Sequence, residues 1–193
     1  MPEKVKQGII RELQGLASWT TYKEYGIFDL EALVLKLRVE TEDDRKALAL
    51  LDQWIAGHPD SLELGEFVVC RLEILLRTDC SDKVQALVQK YLYLPEVMDW
   101  GVEQFSSEKE YDRAVQLLDE GIEAAGKRHE LGFVSIWMKK KIDIYRQTGN
   151  IPALIGTAKE LFIREDGDLK YYCLLKEYVP ADSWKMFLET LTQ

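Results

Sequence analysis

Residues 111–125 read YDRAVQLLDEGIEAA, and their spacing decides the fold class. Ala114, Leu117, Leu118 and Ile122 recur at i, i+3, i+4 and i+8, with only Gly121 breaking the set at i+7. Asp112, Arg113, Gln116, Asp119, Glu120 and Glu123 fill the positions between. At 3.6 residues per turn the first group falls on one face and the second on the other, which is an amphipathic helix with one side turned to a core.

The same template fits four other stretches. They are Ala47, Leu50, Leu51, Trp54 and Ile55; Val84, Leu87, Val88, Tyr91 and Leu92; Leu154, Thr157, Ala158, Leu161 and Phe162; and Trp184, Phe187, Leu188, Leu191 and Thr192. The five start positions, 47, 84, 114, 154 and 184, lie 30 to 40 residues apart, close to the period of helix-turn-helix repeats. Each gap leaves room for a partner helix, expected over residues 61–77, 95–106, 131–148 and 168–178. Pro95 and Pro180 suit first-turn positions, where the missing N–H costs nothing, and Ser81 and Thr41 suit N-caps. Gly57, Gly126 and Gly149 fall where helices should end.

Residues 5–16 and 29–39 read as two further helices, with Trp19, Tyr22, Tyr25 and Phe28 crowding the connection. This hairpin breaks the register, as expected of a repeat that covers an exposed core end. The expectation is therefore one all-α domain over residues 1–193, a right-handed array of stacked antiparallel helical hairpins. Residues 1–40 form an atypical capping hairpin and residues 41–193 the irregular repeats. No β signal competes, because Phe67-Val68-Val69 and Tyr91-Leu92-Tyr93 sit inside the helical frame without hairpin turns.

Composition bounds the function. Acidic residues outnumber basic ones, 34 against 25, for a net charge of −9, so the average field repels phosphate and direct nucleic-acid binding is disfavoured. Lys139, Lys140 and Lys141 are the one basic run, and three lysines on a helix read first as a solvated face. No stretch approaches the roughly 20 apolar residues of a membrane span, and the charged N-terminus MPEKVKQGIIREL is no secretory signal, so a cytoplasmic location is expected. Cys70, Cys80 and Cys173 are odd in number and lack CxxC spacing, which suits free thiols in a reducing compartment. His58, in the turn GHPD, and His129, in KRHE, read as exposed loop residues.

The chemistry of a catalytic site is missing from the sequence. There is no GxSxG, phosphate-binding glycine loop or HExxH, so no enzyme activity, cofactor or metal is expected. Glu40, Glu42, Asp43 and Asp44 lack the loop glycine and ligand alternation of a calcium site; they complement the positive end of the helix that follows. The five tryptophans and nine tyrosines are better read as packing than as a stacking platform. Trp54 and Trp184 lie in stripes, Trp137 shares a face with Phe133 and Ile144, and Trp100 divides evenly between core and surface.

From Leu94 onward the chain carries LPEVMDWGVEQ, EYDRAVQLLDEGIEAA, GFVSIWMKKKIDIYRQTGN and DLKYYCLLKEYVPADSW. This run, roughly half of the chain, resembles the helical region that follows the zinc finger in bacterial SWIM-type zinc-finger proteins. The finger's CxC and CxH pairs are absent, so the resemblance implies a C-terminal fragment or a finger-less relative, with no residue as metal ligand. Residues 111–125 are also similar to the second helix of a tetratricopeptide repeat, without that family's first-helix Trp-Leu-Gly-Tyr pattern.

Stacked hairpins usually hold a peptide or protein on an extended concave surface, so an interaction scaffold is expected, with an accessory module of a nucleic-acid-associated protein as the alternative. Arg71, Gln104, Lys141, Tyr145 and Tyr171 are the candidate binding residues. Each lies on a first helix of a hairpin and could present a donor or a flat ring. Arg71 could instead pair with Glu66 or Glu73, and Tyr145 and Tyr171 could be core.

Overall fold

A computed structural model describes residues 3–17, 30–78 and 80–191. Among them the secondary structure is helical throughout, in eleven helices: α1 Glu3–Ala17, α2 Leu30–Thr41, α3 Asp44–Gly57, α4 Leu64–Arg77, α5 Ser81–Tyr91, α6 Pro95–Ser107, α7 Tyr111–Lys127, α8 Leu131–Thr148, α9 Ile151–Arg164, α10 Leu169–Tyr178 and α11 Trp184–Glu189. The chain divides into two compact units, Met1–Tyr91 and Leu92–Gln193. Trp19, Tyr22, Tyr25 and Phe28, expected between the first two helices, lie outside the described residues, as does Thr192.

The stripes are the cores. In the first unit α1 packs on α2, α2 on α3, α3 on α4 and α4 on α5. Leu51, Phe67, Val68 and Leu72 are fully excluded from solvent, and the Trp54 ring meets Phe67 edge-on at 4.3 Å. In the second unit α6 packs on α7, α7 on α8, α8 on α9 and α9 on α10. Met98, Leu118, Trp137, Leu154, Leu161 and Leu175 form its fully buried centre. Trp100 also belongs to the core, at 8% exposure. Of the last stripe, Trp184 and Phe187 are only half-buried, and Trp184 is held edge-on by Tyr172 of α10 and stacked on Phe187.

Gly121, the gap in the deciding stripe, is itself buried. A Cβ there would run into the terminal methyl of Met98 on α6 and stand 3.3 Å from the Trp137 ring on α8. The stripe is thus continued by the absence of a side chain, because two neighbouring helices occupy its place.

The helix ends correct several expectations. Pro95 is the first residue of α6, as expected. Pro180 is not in a first turn: its carbonyl accepts from the Ser183 N–H in a turn that precedes α11. Thr41 closes α2, its hydroxyl donating to the Arg38 carbonyl, and the cap of α3 is Asp43, whose carboxylate accepts from the Lys46 N–H at 3.0 Å. Ser81 is already the first helical residue of α5. Asn150 and Asp168 cap α9 and α10 in the same way as Asp43, accepting from the N–H groups of Ala153 and Lys170.

Every interhelix turn from α6 to α10 closes through a left-handed residue. At α8/α9 it is Gly149; at the other three turns it is Lys109, His129 and Asp166, with φ of 61°, 61° and 51°, and Asp166 is followed by a second positive-φ residue, Gly167. After each, the next N–H reaches back to a carbonyl five residues earlier: Glu110 to Phe105, Glu130 to Ala125, Asn150 to Tyr145 and Gly167 to Phe162, at 2.8 to 3.0 Å. This is the Schellman closure, which satisfies carbonyls that a helix end leaves open. An L residue in that conformation costs about 1 kcal/mol, partly offset by the freer unfolded chain of glycine. Lys109→Gly is therefore expected to raise stability by about 0.5 kcal/mol. Chemical denaturation checks it, and a fall in stability would mean that the Lys109 side chain makes a contact worth more than the strain.

Candidate functional site: a groove between α8 and α10

The basic run on α8 is used inside the second unit. Lys140 pairs with Asp99 of α6 at 2.9 Å, Lys141 with Asp119 of α7 at 2.5 Å, and Lys139 with Glu165, just past α9, at 2.9 Å. Successive residues of a helix point about 100° apart, so three adjacent lysines reach three different neighbours. Such pairs at a surface contribute at most about 1 kcal/mol each, and they give each lysine a carboxylate partner that a phosphate would have to displace. The hydrogen bond from Lys139 holds the Glu165 carboxyl below its ordinary range, and Glu165 in turn raises the Lys139 ammonium. Burial alone would lower the Lys141 ammonium, yet Asp119 and Tyr145 carry it above its ordinary value.

Beside this run lies a groove of about 370 Å³. One wall is the stripe Lys139, Ile142, Asp143 and Arg146 of α8, and the other is Lys170, Cys173, Leu174 and Glu177 of α10, with Tyr171 beneath. Both walls follow i, i+3, i+4, i+7, so each is one face of its helix. Ile142 and Tyr171 are buried at 4% and 1% exposure, and the charged groups form the rim. Arg146 pairs with Asp143 along α8 at 3.2 Å. The Tyr171 hydroxyl is buried without a hydrogen-bond partner, and burial pushes its pKa up. Lys139 and Glu165 act on it electrostatically without reaching bonding geometry.

Of the five candidate binding residues, only Tyr171 lines this groove. Arg71 belongs to the first unit and pairs with Asp52 of α3 at 2.5 Å, while Glu66, its expected partner, is taken by Lys36 of α2 at 2.6 Å. Gln104 is half-buried on α6. Lys141 keeps 15% of its side chain exposed, against Asp119 and over the ring of half-buried Tyr145 at 5.7 Å. Lys141 thus turns to α7, and neither residue lines the groove. Lys139, Asp143, Arg146, Lys170 and Glu177 were not among the candidates. Their signal was a second, polar stripe on α8 and α10, legible as helical spacing but not as a pair of facing walls.

The remaining expected features resolve locally. His58 is not an exposed loop residue: half-buried at the end of α3, it stacks on Trp54 at 4.7 Å, and its Nδ1–H donates to the Trp54 carbonyl at 2.9 Å. His129 is exposed in its left-handed turn. In the acidic cluster Glu40 binds Lys6 of α1, Glu42 binds Lys46, and Asp43 caps α3. Cys70 and Cys80 are half-buried free thiols and Cys173 is an exposed one. Among the described residues no group of three or more His, Cys, Asp or Glu side chains is placed to hold a metal ion, and no helix is long and apolar enough to cross a membrane. The chain matches no protein-family model, no curated protein and no solved structure, so none of these comparisons supports a SWIM-associated or tetratricopeptide-like kinship.

Proposed function

We propose that the chain is a non-catalytic helical-repeat protein, tetratricopeptide-like in its hairpin stacking, that acts in the cytoplasm as a scaffold for a peptide or protein partner. The observation that carries this reading is the α8/α10 groove, where the first helices of two successive hairpins present facing stripes around a buried floor. Its volume is within the usual range of ligand sites, roughly 300–1,000 Å³, and its open, charged rim suits a peptide better than a buried small molecule. The Lys140–Asp99 pair links the first helices α6 and α8 in the same manner, as expected of a layer of first helices. In the first unit the Lys36–Glu66 pair likewise links two alternate helices, α2, the second helix of the capping hairpin, and α4. Free thiols suit a reducing compartment.

The alternative, an accessory module of a nucleic-acid-associated protein, rests on the SWIM-type resemblance, which no comparison supports, and on Lys139, Lys140 and Lys141. Their engagement with Glu165, Asp99 and Asp119 leaves no observation that favours it.

Affinity purification of the full chain, with and without nuclease, tests the reading. A protein partner retained after nuclease, lost on Lys170→Ala and kept on Lys159→Ala of α9, is the expected result. Capture that disappears with nuclease, or that depends on Lys159 and not Lys170, overturns it.

A further inference from the structure

Two side chains on the groove rim carry charge that no opposite charge among the described residues matches, although the Lys170 ammonium lies over the Tyr171 ring at 5.7 Å. Lys139 is matched by Glu165 and Arg146 by Asp143, but among the described residues neither Lys170 nor Glu177 takes part in an ion pair. Both are exposed, both line the groove, and they stand at opposite ends of α10. Seven positions at 1.5 Å rise place them about 10 Å apart on one helix face. On the α10 wall the surface between them is uncharged, Cys173 and Leu174 with the buried Tyr171; on the facing wall Ile142 lies among Lys139, Asp143 and Arg146, whose charges are matched within the chain.

An occupant has to match a positive end, an uncharged middle and a negative end about 10 Å apart. A fully extended strand fits poorly, because residues three apart point to opposite sides. In the polyproline II conformation, residues i and i+3 share a face and stand about 9 Å apart. We infer that the groove takes an extended peptide of polyproline II form carrying one acidic and one basic residue three positions apart, the acid against Lys170 and the base against Glu177, with two uncharged residues over Leu174 and Ile142. This rests on the scaffold reading and specifies the partner's chemistry at that site. Polyproline II has no internal hydrogen bonds, so its backbone groups stay hydrated on the side turned away from the groove.

The test uses the full chain, 15N-labelled, and three hexapeptides with a common Pro-Pro centre: Ser-Asp-Pro-Pro-Lys-Ser, Ser-Asp-Pro-Pro-Asp-Ser and Ser-Lys-Pro-Pro-Lys-Ser. The amide resonances of α8 and α10 should shift with the Asp/Lys peptide at concentrations about tenfold lower than with either like-charged one, because juxtaposed like charges are strongly disfavoured. Lys170→Glu makes both rim positions acidic, and an acid in the first turn of α10 is compatible with its helix dipole, so an unchanged melting curve is expected. In that variant the preference should pass to the Lys/Lys peptide. If α8 and α10 shift but the order of the peptides is the same in both proteins, the charge matching is wrong and the scaffold reading stands. If no peptide shifts α8 or α10 in either protein, the inference fails and the groove is withdrawn from the scaffold reading as well.

Discussion

Replacing Trp137 by alanine is expected to destabilise the second unit by about 3–5 kcal/mol, the largest effect of any single truncation in it. Trp137 is fully excluded from solvent, stacks on Phe133 at 5.6 Å, and closes over Gly121 of α7. Alanine removes the whole indole from a place walled by helices on either side, so the loss combines transfer free energy with the cavity left behind. For a domain of this size each 1 kcal/mol lowers the melting temperature by roughly 4–8 °C, so a fall on the order of 15 °C or more is expected by circular dichroism. Trp137→Phe separates packing from polarity. The indole N–H is buried without a partner, so phenylalanine keeps much of the ring and removes an unsatisfied donor, and its cost should be well below that of alanine. An alanine variant that melts within a few degrees of the parent would show that the unit is not organised around this ring.

The second large effect is expected at Gly121. Leucine there should cost about 3 kcal/mol, at the upper end for overpacking, because the added side chain must displace Met98 and the stiff Trp137 ring. Helix propensity acts in the opposite direction, since glycine inside a helix is about 1 kcal/mol worse than alanine. Gly156 isolates that term. It lies within α9, is exposed, and a Cβ there would meet no atom within 4 Å, so Gly156→Ala should gain about 1 kcal/mol. Denaturant unfolding of the two variants should therefore move in opposite directions. Equal and small changes would mean that α6 and α8 give way around Gly121 and that the close approach is not a constraint.

The contrast between these glycines also marks what the sequence could and could not disclose. The stripe through Ala114, Leu117 and Leu118 was legible because burial imposes the helical period directly on residue type. Gly121 looked like a defect in that stripe, because a contact made by lacking a side chain has no hydrophobic signature. The turns were harder for a related reason. Glycine announces a left-handed helix end, and Gly149 did so, but Lys109, His129 and Asp166 adopt the same conformation without that mark. Thr41 looked like a cap because capping chemistry is shared by several short polar residues, and the backbone put Asp43 in the position that counts. At the candidate site the limitation is different in kind. Lysines 139 to 141 have partners 22 to 41 positions away in sequence, on three separate neighbours, and no local spacing rule pairs them. The groove likewise comes from two helices with α9 between them in the chain.

The packing of helices on their chain neighbours inside each unit has a consequence for how each unit forms. Helix pairs such as α7 with α8 and α8 with α9 close short stretches of chain, so little conformational entropy is lost before contacts begin to compensate it. Low contact order of this kind goes with rapid folding, and it lets a hairpin in either unit serve as a nucleus onto which the next helix docks. The same connectivity grades the native state. α11 contributes no fully buried residue and should open well before α7 and α8, whose two faces are both covered, so a partner held by α10 would meet a surface whose far flank is already in rapid local exchange between docked and open forms.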